Sequence, residues 1–82
     1  MRRVGERGVS GIGRVSGILT LEEDGTYHEF FFYGEPHLVH YSGRSFVDGR
    51  LLPPCQARVV HRQDLSGAIR REVDSWLMSL TL

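Results

Sequence analysis

Residues 19–33 read Leu-Thr-Leu-Glu-Glu-Asp-Gly-Thr-Tyr-His-Glu-Phe-Phe-Phe-Tyr, and this stretch decides the fold. Asp24-Gly25 at its centre is a hairpin signal, because both residues tolerate the positive φ of a two-residue type I′ turn. Side chains alternate along each strand, so the turn predicts a register. Glu23 opposes Thr26, Leu21 opposes His28, Leu19 opposes Phe30 and Gly17 opposes Phe32. One face then collects Val15, Leu19, Leu21, His28, Phe30 and Phe32, an apolar surface suited to the core. The other collects Ser16, Ile18, Thr20, Glu29, Phe31 and Tyr33, with Ile18, Phe31 and Tyr33 as its apolar centre. A bulged three-residue turn would shift the pairing by one and exchange the faces.

Outward from this hairpin, Gly34-Glu35-Pro36 reads as a turn and His37 to Tyr41 as a third strand. Ser42-Gly43 breaks that strand. Arg44 to Val47 and Arg50 to Leu52 flank a second Asp-Gly turn at Asp48-Gly49. Pro53-Pro54 ends the segment, since proline offers no ladder donor, and Gln56 to Arg62 forms the last strand. At the C-terminus, Leu65, Ala68, Ile69, Val73, Trp76, Leu77 and Leu80 fall on one stripe of a 3.6-residue period, which predicts a helix. Asp64 or Ser66 serves as its N-cap, Arg70 and Asp74 form an i,i+4 pair, and Trp76 anchors the stripe on the Leu19-Phe30-Phe32 face. Residues 1–13, rich in glycine and arginine, are expected to be a flexible arm. The fold class is α+β: residues 14–82 form one domain with an antiparallel sheet of four or five short strands and one C-terminal amphipathic helix on one face.

The chain has 82 residues, 40% hydrophobic and 24% charged, which suits one globular domain and no more. No apolar run approaches the roughly 18 residues of a membrane span, and no signal-peptide core follows the first arginines. The expectation is a cytoplasmic protein with no membrane partner. Formal charge is zero but unevenly spread: +3 over residues 1–14, −5 over 15–35, +3 over 36–62 and −1 over 63–82. Neutrality argues against a dedicated nucleic-acid binder, and alternating blocks favour a protein partner or self-association. All ten basic residues are arginine, and lysine and asparagine are both absent. Both missing residues use AA-starting codons, so a GC-rich genome accounts for the bias.

Nothing positive points to catalysis. The single cysteine, Cys55, has no base beside it to lower its pKa. No serine sits in a G-x-S-x-G elbow. Gly11-x-Gly13-x-x-x-Gly17 has the wrong spacing for a dinucleotide loop and precedes a strand. Glu22, Glu23 and Asp24 sit on a hairpin tip, where no cleft perturbs them. His37 and His40 fall on opposite faces of a strand, and no zinc-ligand spacing supports the histidines. No cofactor or metal is expected; His28, on the core face, needs a hydrogen-bond partner if buried.

The chain has too little material to cover both faces of an aromatic sheet. The expected function is therefore a small non-enzymatic protein-binding module, an accessory or inhibitory subunit acting through an aromatic sheet face or a strand edge. Its expected partner-binding residues are Ile18, Glu29, Phe31, Tyr33, Arg58 and Arg62, with Arg58 or Arg62 balancing Glu29 across strands. Self-association is the simplest way to cover the face, so a homodimer is expected. In size and simplicity alone, phage-type inhibitors of host defence such as anti-CRISPR proteins offer a comparison. The alternative is a single-stranded nucleic-acid-binding protein that uses the arginine-glycine arm and the exposed rings.

Overall fold

A computed structural model describes residues 1–11, 14–32 and 37–81. Five strands run in chain order across one antiparallel sheet: β1 (Arg2–Gly11), β2 (Arg14–Glu23), β3 (Thr26–Phe32), β4 (His37–Val47) and β5 (Arg50–His61). A 3-10 turn (Arg62–Asp64) leads into one helix, α1 (Gly67–Thr81). The fold is thus α+β. No helix among the described residues is long and apolar enough to cross a membrane. Tyr33, the Gly34 to Pro36 turn and the Val15 side chain lie outside the described residues.

The central hairpin has the register its turn dictates. Asp24 and Gly25 take φ of 52° and 79°, and Leu21, Leu19 and Gly17 oppose His28, Phe30 and Phe32. Asp48 and Gly49 repeat the turn with φ of 52° and 77°. Leu19, Leu21, Phe30 and Phe32 are buried together with Leu38 of β4 and with Val73, Trp76 and Leu77 of the helix stripe. Burying an aromatic side chain removes about 150–250 Å² from water, roughly 4–6 kcal/mol at about 25 cal/mol per Å². That outweighs the about 1–3 kcal/mol cost of the buried Trp76 indole N–H, which has no acceptor among the described residues.

Two expectations need correction. Residues 2–11 of the expected arm form β1, paired with β2 along its length. Glycine density had suggested that this segment resists a strand, but two of the glycines are what the packing uses. Gly8 and Gly17 oppose each other on the helix-covered face. A Cβ at Gly8 would collide with Leu80, and one at Gly17 would lie 2.8 Å from the Trp76 ring and 2.5 Å from the Arg7 carbonyl oxygen. The pair is a notch that lets α1 sit close on β1 and β2. Arg3 also ties β1 to the helix, through Glu72 at 3.0 Å.

The second correction concerns Ser42-Gly43 and Pro53-Pro54, which neither break nor end a strand. β4 and β5 are continuous, and their register slips between the Gly43–Cys55 and Ser45–Leu52 pairs, with Pro53-Pro54 as the extra length on β5. β5 is an edge strand, where a residue without an N–H costs the ladder little. Beyond the slip the hairpin tip turns toward the sheet face away from the helix. Phe46 stacks on Tyr27 there, with ring centroids 4.7 Å apart.

Candidate partner-binding face

The strand registers align the residues of the helix-free face in rows across the sheet. Arg7, Ile18, Phe31, Val39 and Val59 form one row through all five strands, each paired with the next. The adjacent row is Gly5, Thr20, Glu29, Tyr41 and Ala57. The β4–β5 tip lies over one end of this face. Phe46 and Gly49 close a cleft of about 210 Å³ with Val4, Arg7, Ile18, Thr20 and Glu29. Thr20 is buried at 5% exposure, while Ile18, Phe31 and Val39 are half-buried and Val59 is 61% exposed. The chain therefore covers part of this face itself: Arg7 and Ile18 share the cleft with the tip, and the row opens toward Val59.

Three of the six expected binding residues come together: Ile18 pairs with Phe31, and Glu29 lies one row away on the same face. Tyr33 lies outside the described residues. The two arginines do not join them. Arg58 pairs with His40, whose neighbour Leu38 is in the core, so its side chain leaves from the helix-covered face. Arg62 sits in the 3-10 turn and donates to Asp74 at 2.7 Å, beside the Arg70–Asp74 pair at 3.0 Å. The expected cross-strand pair between Glu29 and Arg58 or Arg62 is therefore not made. Strand alternation had already put Arg58 opposite in parity to Val59. What it lacked was the register that ties that parity to the core.

Glu29 is the electrostatic feature of the face. It is half-buried, and burial raises its carboxyl pKa above the ordinary value. Among the described residues it has no hydrogen-bond or ion-pair partner. Aromatic residues frame it: Tyr27 and Phe31 are its same-face neighbours on β3, and Tyr41 is its cross-strand partner. Phe31 meets the Tyr41 ring edge-on, centroids 5.5 Å apart. Arg7, on the Phe31 row, is exposed and likewise has no partner among the described residues. Tyr41, Phe46 and Arg7 were not among the expected binding residues. The β3–β4 pairing brings Tyr41 to the site, the register slip brings Phe46, and strand formation by the arm brings Arg7.

The opposite face carries a separate polar cluster. His28 Nδ1 and His40 Nε2 share a hydrogen bond of 3.0 Å, which supplies the partner that His28 requires. His40 is 7% exposed and stacks on Phe30 at 4.4 Å. Burial, then His28, then Arg58 push its pKa down to about 4. Burial also lowers His28, against the pull of Glu23. His37 and His61 meet on the other face, centroids 4.2 Å apart. No group of three or more His, Cys, Asp or Glu among the described residues is placed to hold a metal. Cys55 is exposed at the register slip.

No family model, curated protein or solved structure matches the chain.

Proposed function

We infer that the chain is a small non-enzymatic protein-binding module, an accessory or inhibitory subunit that acts through the helix-free sheet face. One observation carries this reading: a half-buried carboxylate, Glu29, with no ion-pair partner among the described residues, lies beside an apolar row of Ile18, Phe31 and Val39 that runs out to the exposed Val59. A buried charge without a partner is costly. A protein surface that brings a guanidinium or ammonium group over Glu29 and apolar contacts over Phe31 and Val59 relieves both defects together.

The nucleic-acid alternative is less well supported. Arg2 and Arg3 are engaged with Glu22 and Glu72. The rings available for stacking lie beside Glu29, which repels phosphate. A basic groove lined with rings is what single-strand binding uses.

Phe31→Glu is the test. It puts a second carboxylate at the centre of the apolar row and leaves the helix-covered core untouched. The expected result is a folded protein, with native circular dichroism, that loses the proteins wild type retains from source extract. A variant that unfolds would make Phe31 a core residue and remove this face as a binding surface. Salt-dependent binding of a labelled single-stranded oligonucleotide would favour the alternative.

A further inference from the structure

We propose that a cleft on β4 and β5 binds the phosphate group of a small phosphorylated molecule, held by Arg58, Gln56, Ser42 and His40. This site lies on the opposite side of the sheet from the partner-binding face and does not depend on it.

The β4–β5 register builds the cleft. His40 pairs with Arg58 and Ser42 with Gln56, and alternate residues of a strand share a face. These side chains, with Ala57, line a cleft of about 450 Å³, a volume that suits a small ligand. No acidic residue lines it. Guanidinium, amide, hydroxyl and imidazole groups can each donate a hydrogen bond, so the lining is a set of donors.

Two of these donors are not engaged by the protein. Arg58 is exposed and has no hydrogen-bond or ion-pair partner among the described residues. His40 is 7% exposed, and its Nε2 is shared with His28 Nδ1 at 3.0 Å. Its Nδ1 has no partner among the described residues, yet it is not sealed in: the sealed, unpartnered side-chain nitrogen is Trp76 Nε1. When His28 donates to Nε2, the neutral His40 ring carries its proton on Nδ1, where it can be given to an anion. The field in the cleft has the matching sign. Arg58 acts on His40 strongly enough to help hold that ring uncharged. The acidic group that acts on this cluster is Glu23, which pulls on His28 and does not line the cleft.

The donor set selects the ligand. A carboxylate is satisfied by the fork of one arginine. A phosphate offers a third terminal oxygen, which gives Gln56, Ser42 and His40 an acceptor while Arg58 holds the other oxygens. The ring in the lining, His40, already stacks on Phe30, so the cleft offers no free platform for a nucleobase.

The test is an NMR titration of the full chain with inorganic phosphate, glycerol phosphate and acetate at constant ionic strength. Both phosphates are expected to shift the His40 ring and Arg58 Nε resonances saturably, with half-saturation on the order of 1 mM or below. Acetate is expected to bind about tenfold more weakly or worse. Arg58→Gln is expected to weaken phosphate by about tenfold or more, and Arg50→Gln, at the β4–β5 tip, to leave it unchanged. If Arg58→Gln does not fold, Gln56→Ala carries the test with the same direction. A bound anion favours protonated His40, so saturating sulfate, whose charge is fixed, is expected to raise the His40 pKa above about 4. His28, Glu23 and Arg58 are the charged and titratable groups acting on that ring and its partner. Non-saturating shifts overturn the proposal. So do equal losses in Arg58→Gln and Arg50→Gln, acetate binding as tight as phosphate, or a His40 pKa that sulfate does not move.

Discussion

Acidification should destabilise this protein through His40. The ring is 7% exposed, stacked on Phe30 and hydrogen-bonded to His28, and its pKa is held at about 4 against 6.5 for a free histidine. The depressed value sets the sign. Between pH 6.5 and 4 the unfolded chain binds a proton that the folded chain refuses, so stability falls as pH falls through that window. At about 1.4 kcal/mol per tenfold change in proton affinity, the whole window is worth about 3 kcal/mol. A domain of this length has only about 4–12 kcal/mol in total. His28 adds to the loss, since its pKa is also lowered. Glu29 opposes it, because a raised carboxyl pKa makes protonation easier in the folded state. The hydrogen bond tolerates one added proton, with one ring donating to the other. Two added protons set N–H against N–H.

The assay is urea unfolding at pH 7, 5.5 and 4 for wild type and His40→Gln. Wild type should lose about 3 kcal/mol across the series and the variant most of that dependence, because glutamine does not titrate. NMR titration of the His40 ring should place its pKa near 4. A His40 pKa near 6.5 in the folded protein, or equal pH slopes for the two proteins, would refute the reasoning.

Other consequences follow from packing. Gly17→Ala pushes a methyl group against the Trp76 ring and the Arg7 carbonyl; thermal or urea unfolding should show a loss of about 1–3 kcal/mol, the usual cost of overpacking. Leu19→Ala, at 0% exposure, should cost about 2–5 kcal/mol and leave little folded protein by circular dichroism. Asp74→Ala removes the partner of both Arg62 and Arg70, but the pairs are partly exposed, so urea unfolding should register about 1 kcal/mol or less. Gly25→Ala at φ 79° should lose about 1–2 kcal/mol on thermal unfolding, more than an exposed alanine substitution elsewhere in the chain.

How much the chain declares locally differs from element to element. The Leu19 to Phe32 hairpin was legible because a two-residue turn couples chemistry to register: once Asp24 and Gly25 adopt positive φ, the pairing follows. The helix was legible because its stripe needs only its own period. The arm is not legible in this way, since glycine propensity describes only the isolated segment. The benefit of Gly8 and Gly17 appears only when Trp76 and Leu80, some 60 to 70 residues away in sequence, lie on them. Pro53-Pro54 read as a strand end because its tolerance depends on β5 being an edge.

The candidate site divides in the same way. Sequence alone placed Ile18, Glu29 and Phe31 on one face, because alternation and the turn are local. It misassigned Arg58 and Arg62, left out Arg7, Tyr41 and Phe46, and did not foresee the His28–His40 bond. Those placements depend on which strand lies beside which, on the slip between Gly43 and Ser45, and on how far α1 extends across the sheet. Pairing between distant segments is fixed by the burial of the whole chain, so only the tertiary structure decided it. Within that structure Glu29 stands among aromatic residues without an ion-pair partner among the described residues, while both arginines expected to answer it lie elsewhere.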